Sequence, residues 1–86
     1  MVMTVSEKQE LRMKLLKELY DHNEETGGEE KEIPIDTLTN EEDKKIFLAY
    51  EYLDDKGLIS FKPLHKLAYE AKITSYGIDF IEKQDN

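Results

Sequence analysis

Apolar positions along this 86-residue chain change period several times, and the changes mark its elements. Leu11, Leu15, Leu16, Leu19 and Tyr20 recur at helical spacing, while Arg12, Lys14, Lys17 and Glu18 cover the other side. Ser6 with Gln9 three residues on makes a capping box, so a helix is predicted from Ser6 to near His22 or Asn23. "EETGGEEKE" then sets two glycines in a run of acids, which predicts a flexible, solvated loop over residues 26–30. In "KEIPIDTL" Pro34 lacks a donor and drives Ile33 towards extended geometry, which fits a short edge strand over residues 32–35. Asp36 and Thr37 start one helical turn, with no room for a full helix before Asn40.

Asn40 is a good N-cap, and Glu41, Glu42 and Asp43 behind it suit the positive end of a helix dipole. Ile46, Ala49, Tyr50 and Leu53 form the inward stripe of that helix, with Phe47 at its edge. Leu48 and Tyr52 lie on a different face. Gly57 ends the helix in a left-handed cap. The next stretch combines "LISF", a turn-rich "KPLHK" and "LAYEAKI". In the last, Leu67, Tyr69, Ala71 and Ile73 alternate with Ala68, Glu70 and Lys72, which is the period of a half-buried strand, so a hairpin is predicted. Thr74 caps a final helix, "SYGIDFIEKQ", with Tyr76, Phe80 and Ile81 expected towards the core. Gly77 in its first turn costs about 1 kcal/mol relative to alanine, a cost that close approach to the hairpin would justify.

The length allows one small domain over residues 1–86, with an ordered core expected at about 6–83 and disorder in the last few residues. There is no internal repeat. Without cysteine, disulfide frameworks and the usual zinc-finger ligand sets are excluded. The first residues lack a basic region followed by an apolar one, and no apolar run approaches the roughly 20 residues of a membrane span. A cytoplasmic protein is the expectation. The net charge is −8, and it is unevenly spread. Ten acids and only Lys31 as a base lie between Asp21 and Asp43, whereas Gly57 to Ser75 holds Lys62, Lys66 and Lys72 against Glu70. The overall charge repels phosphate at long range, but screening confines that repulsion to roughly 8–10 Å, so a local basic patch can act at contact.

The order helix, short strand, abbreviated second helix, helix, hairpin wing, helix is α+β and resembles the winged-helix superfamily. The residues that carry the resemblance are "YLDDKGLI" at Tyr52–Ile59 and "KITSYGIDFIEK" at Lys72–Lys83. They are similar to "yLedkGlI" and "itLTpeGrefle" segments of many winged-helix proteins. With the first helix, the match covers most of the chain. The shortened second helix resembles that of small uncharacterised winged-helix proteins from Gram-positive bacteria and their prophages. The resemblance implies regulation of transcription through DNA binding by the third helix and the wing. The shortening also changes how that third helix would be presented to a duplex.

Several chemistries fit poorly. Asp21, Asn23, Glu25 and Glu32 fall at calcium-loop positions 1, 3, 5 and 12, but Thr26 stands where the loop needs glycine. His22 and His65 sit on different elements with no third nitrogen or sulfur ligand. No pair of carboxylates lies in an apolar setting, and no phosphate loop or nucleophile motif occurs. No catalysis, metal or cofactor is expected.

Two binding readings remain. In the first, Lys62, His65 and Lys66 of the hairpin, Lys72 of the returning strand, and Lys44 and Lys45 of the preceding helix track DNA phosphates. Base reading has little support, because Asn40 is used as a cap and Arg12 is the single arginine. In the second, Leu48, Tyr52 and Leu64, with Tyr69 as a further candidate, form an apolar patch rimmed by acids such as Glu41, and the partner is a protein. Hairpin lysines that only keep a sheet edge soluble, and apolar side chains that only pack, are the plainer accounts. The sequence leaves open whether the chain forms a homodimer.

Overall fold

Thr4, rather than Ser6, begins the first helix. The Thr4 hydroxyl accepts from the Glu7 amide at 3.1 Å, and the Glu7 carboxylate accepts from the Thr4 amide at 2.9 Å. This capping box sits two residues upstream of the expected one, because Glu7 answers Thr4 better than Gln9 answers Ser6. The computed structural model describes residues 3–84. It contains α1 (Val5–Thr26), β1 (Lys31–Pro34), α2 (Glu41–Asp55), β2 (Ile59–His65), β3 (Ala68–Ile73) and α3 (Ser75–Gln84). The fold is α+β, with three helices and one antiparallel sheet in the order β1-β3-β2.

Helix α1 continues past the expected His22 end and closes at Gly27, a left-handed residue with φ 72°. The amide of Gly28 donates to the Asn23 carbonyl, and the Thr26 hydroxyl accepts from the Glu29 amide. The stretch predicted as a loose loop is therefore a bonded helix exit followed by a short connection. Asp21, Asn23 and Glu25 are helical, which removes the calcium-loop geometry. The disorder expected in the last few residues concerns in part residues 85–86, outside the described residues.

Where an abbreviated second helix is expected, residues 37–39 form a hydrogen-bonded turn built on Asp36. Its carboxylate accepts from the Leu38 and Thr39 amides and from the Thr39 hydroxyl, and the Asn40 amide donates to its carbonyl. Those bonds, the Thr39 hydroxyl first, hold the Asp36 carboxyl below its ordinary value. The Asp43 carboxylate accepts from the Asp36 amide at 2.8 Å and ties the turn to α2. Asn40 caps α2 by accepting from Glu42 and Asp43. The three acids behind Asn40 thus divide: one holds the turn, and the other two pair with lysines.

The core draws on every element. Leu15, Leu16 and Leu19 of α1 meet Ala49, Tyr50 and Leu53 of α2, Ile33, Ile59, Ala71 and Ile73 of the sheet, and Ile81 of α3. Each fully buried leucine or isoleucine contributes on the order of 1.5–3 kcal/mol. Phe47, Tyr50, Phe61 and Tyr69 stack edge and face between α2 and the hairpin, with Tyr50–Phe61 centroids at 5.1 Å and Phe61–Tyr69 at 4.8 Å. Burial among these rings pushes the Tyr50 phenol up to about 12.

Two expectations for the C-terminal half change. The hairpin tip is Lys66–Leu67, not "KPLHK": β2 runs on through His65, with an irregular register between Pro63 and His65. Leu67 takes φ 66° in that tight turn and is half exposed, so it lies outside the buried alternation. In α3, Tyr76 is 73% and Phe80 38% exposed, while Ile81 is buried. The inward stripe is Gly77, Ile78 and Ile81, set by how closely α3 approaches the end of α2. A side-chain carbon on Gly77 would collide with the Leu58 carbonyl oxygen and stand 2.6 Å from Ile73 Cγ1.

That approach is fixed by a compact junction. After α2, the Gly57 amide donates to Asp54 and the Leu58 amide to Leu53, with Gly57 at φ 77°. The Thr74 hydroxyl donates to the Gly57 carbonyl at 2.6 Å and accepts from the Gly77 amide at 3.2 Å. One side chain therefore closes α2 and opens α3. Tyr20 of α1 also donates to the Glu82 carboxylate of α3 at 2.9 Å, and that bond takes its phenol up to about 12.

Candidate functional site

The six basic residues singled out for phosphate contact do not share one surface. Ile59 and Phe61 of β2, like Ala71 and Ile73 of β3, face the core, so Ser60, Lys62, Glu70 and Lys72 point to the opposite side of the sheet. Lys44 and Lys45 belong to α2, which packs on the inner side. The two sets are separated by the sheet.

Three of these lysines are held by carboxylates. Lys44 lies 3.2 Å from Glu41 and Lys45 3.3 Å from Glu42, each one helical turn apart. Lys62 sits 3.8 Å from Glu70 and 4.0 Å from Glu30. The register sets Glu70 opposite both Lys62 and Glu32, so that lysine meets an acidic neighbourhood. Partial burial, and then Glu30, raise the Glu70 carboxyl above its ordinary value, and Lys62 pulls it back. Lys66 is exposed in the turn and Lys72 on β3, where its ammonium reaches towards Gly28. His65 Nδ1 stands 3.1 Å from the Lys66 carbonyl oxygen. His22 is elsewhere, inside α1, with its Nε2 buried and unpartnered among the described residues.

The residues of the apolar reading also divide. Leu48 is 63% exposed and Tyr52 38%, and both flank a groove between α1 and α2. Leu64 lies away on the hairpin, and Glu41 is engaged with Lys44. Sequence reasoning missed the α1 side of the groove. Met3, Lys8, Leu11 and Arg12 complete a depression of about 470 Å³. A second, of about 440 Å³, continues past Met13 and Lys56 to Phe80 of α3. Arg12 and Tyr52 belong to both depressions and form the divide between them. The Arg12 guanidinium carbon is 3.7 Å from the Tyr52 ring centroid, and Lys56 Nζ is 5.6 Å from it. A cation over a tyrosine face is worth about 0.5–1 kcal/mol at an exposed site. The signal that would have found this groove is a pair of off-stripe apolar positions, Leu48 and Tyr52, one turn apart and outside the core pattern.

Among the described residues no group of three or more His, Cys, Asp and Glu is arranged to hold a metal ion, and no helix is long and apolar enough to cross a membrane. No family model, curated protein or solved structure matches the chain.

Proposed function

We propose that this chain is a cytoplasmic winged-helix domain that works by binding a protein partner through the exposed face of α2 and carries out no catalysis. What supports the winged-helix reading is the element order, the short first strand paired to the hairpin, and the Gly57 and Thr74 junctions at the two quoted motifs. The protein-binding reading rests on one observation. Leu48 and Tyr52 stand exposed beside a concave apolar groove, whereas Lys44, Lys45 and Lys62 are drawn onto carboxylates. Aromatic anchors in a depression with polar edges are the usual centre of a protein interface.

The rival, DNA binding through the α2 start and the hairpin, is separated by titration of mixed-sequence duplex at low and at physiological salt. The protein-binding reading expects no association even at low salt. Binding that weakens steeply with salt, and further in a Lys66→Ala/Lys72→Ala double variant, would overturn it in favour of phosphate contact. Sedimentation over a range of concentrations adds the remaining distinction, since a second copy of the chain is one protein that could occupy the α2 face.

A further inference from the structure

We infer that the groove shared by α1, α2 and the Phe80 end of α3 takes an acidic amphipathic helix of a partner protein, a step that rests on the protein-binding reading above. The argument begins with charge. Lys8, Arg12, Lys45 and Lys56 line the two depressions, against Glu51 and Asp55. In a chain of net charge −8 this is a local reversal of sign. Among the described residues no carboxylate lies within 4.0 Å of the charged nitrogens of Lys8, Arg12 or Lys56. These three groove cations form no ion pair among the described residues, whereas Lys45 is held by Glu42 and Lys62 by Glu70 and Glu30.

The walls decide the backbone form of the occupant. Apart from Met3, Lys56 and Leu58, the residues lining both depressions are helical and none belongs to a strand, so no strand edge is open to an extended peptide there. A helix satisfies its own backbone and needs only apolar anchors at i, i+3 or i+4, and i+7. The two depressions on either side of the Arg12–Tyr52 stack match such anchors: one enters beside Leu48 and Leu11, the next beside Met13 and Phe80. Along α2, Lys45 and Lys56 are separated by about 17 Å of helix axis, room for about three turns of an occupant. Carboxylates flanking its apolar stripe would then reach Lys8 and Arg12 on one wall and Lys56 on the other. A basic helix would bring like charge to these three groups, and a wholly apolar one would leave them uncompensated.

The test uses the full chain and a panel of synthetic helical peptides with Leu, Phe or Met at the anchor positions. One set carries Glu and Asp beside the stripe, a second carries Lys at the same positions, and a third keeps the acidic composition but scrambles the periodicity. Calorimetry gives affinity, and amide chemical shifts give location. The acidic amphipathic set should bind, with shifts confined to residues of α1, α2 and Phe80, although the whole protein repels it at long range. Tyr52→Ala and Arg12→Glu should each weaken that binding by about tenfold or more, with thermal unfolding run alongside to show that the variants stay folded. Equal binding by the scrambled set, preference for the basic set, or shifts elsewhere would overturn the inference, as would no binding by any acidic amphipathic member. A basic peptide bound elsewhere on the chain would sink this inference and leave the protein-binding reading standing. Salt-sensitive duplex binding sinks the broader reading itself.

Discussion

The outer face of the sheet and the groove between α1 and α2 both carry lysines, yet they hold them in opposite ways. On the sheet, cross-strand register sets Lys62 beside Glu70 and within reach of Glu30, so its charge is spent on its neighbours. In the groove, Arg12 and Lys56 lie over the Tyr52 ring, which attracts cations without cancelling them. The difference teaches that counting lysines along a sequence does not locate a binding surface. What matters is whether the fold brings an acid or an aromatic ring to each one.

Four variants break or sharpen this contrast. The largest effect is expected from Gly77→Ala, which attacks the junction beneath both regions. A methyl group there meets the Leu58 carbonyl and Ile73, and the overpacking should cost about 3 kcal/mol or more. Thermal unfolding would register this as a drop of well over about 10 °C for a domain of this size. A melting curve close to that of the parent would show that α3 is not anchored as described.

Thr4→Ala comes next and touches only the groove side, since Met3 and Lys8 flank this cap. Loss of the capping box should cost about 1 kcal/mol in denaturant unfolding at neutral pH. Part of that difference depends on pH. The Thr4 amide holds the Glu7 carboxyl below its ordinary value of 4.5, so its contribution is present above 4.5 and is lost as acid titrates through the lowered value. The gap between parent and variant should therefore narrow in acid, and a constant gap would contradict the bond.

Arg12→Ala should cost only about 0.5–1 kcal/mol, because the guanidinium packs on Tyr52 and forms no ion pair among the described residues. Its pH profile should match that of the parent, because Arg12 forms no ion pair among the described residues. Lys62→Ala is the smallest change at acid pH and the more informative across pH. Glu70 titrates above its ordinary 4.5 in the folded chain, so ionising it opposes folding, and stability falls as the pH rises through the raised value. Removing Lys62 raises that value further. The variant's deficit should be smallest in acid, where Glu70 is protonated, and should grow as the pH rises through the raised value. A flat difference would place the pairing in doubt and weaken the contrast between the two regions.

The fold was legible where one segment carries its own signal. Asn40, Gly57 and Thr74 each announce a boundary by local chemistry, and each does that work in the structure. The single turn after Pro34 was legible for the same reason. Positions that depend on distant neighbours were not. Tyr76 and Phe80 look like core residues in a helical pattern, but Gly77 presses against Leu58 and rotates the buried stripe onto Ile78 and Ile81. The start of α1 was misjudged because two overlapping capping patterns compete, and only the three-dimensional pairing of Thr4 with Glu7 decides between them. Of the candidate surface residues, Leu48 and Tyr52 could be read from α2 alone. Arg12 and Lys56 could not, since their meeting over Tyr52 requires α1 to lie against α2.

The clasp between Thr74 and Gly57 has one more implication. Because a hydroxyl and two backbone groups hold the start of α3 against the end of α2, that end of the helical cleft keeps its shape without help from the exposed side chains beside it. The molecule is thus suited to retargeting: randomising the exposed Leu48, Tyr52 and Phe80 should yield a collection of differently selective receptors, provided Gly57, Thr74 and Gly77 are left untouched.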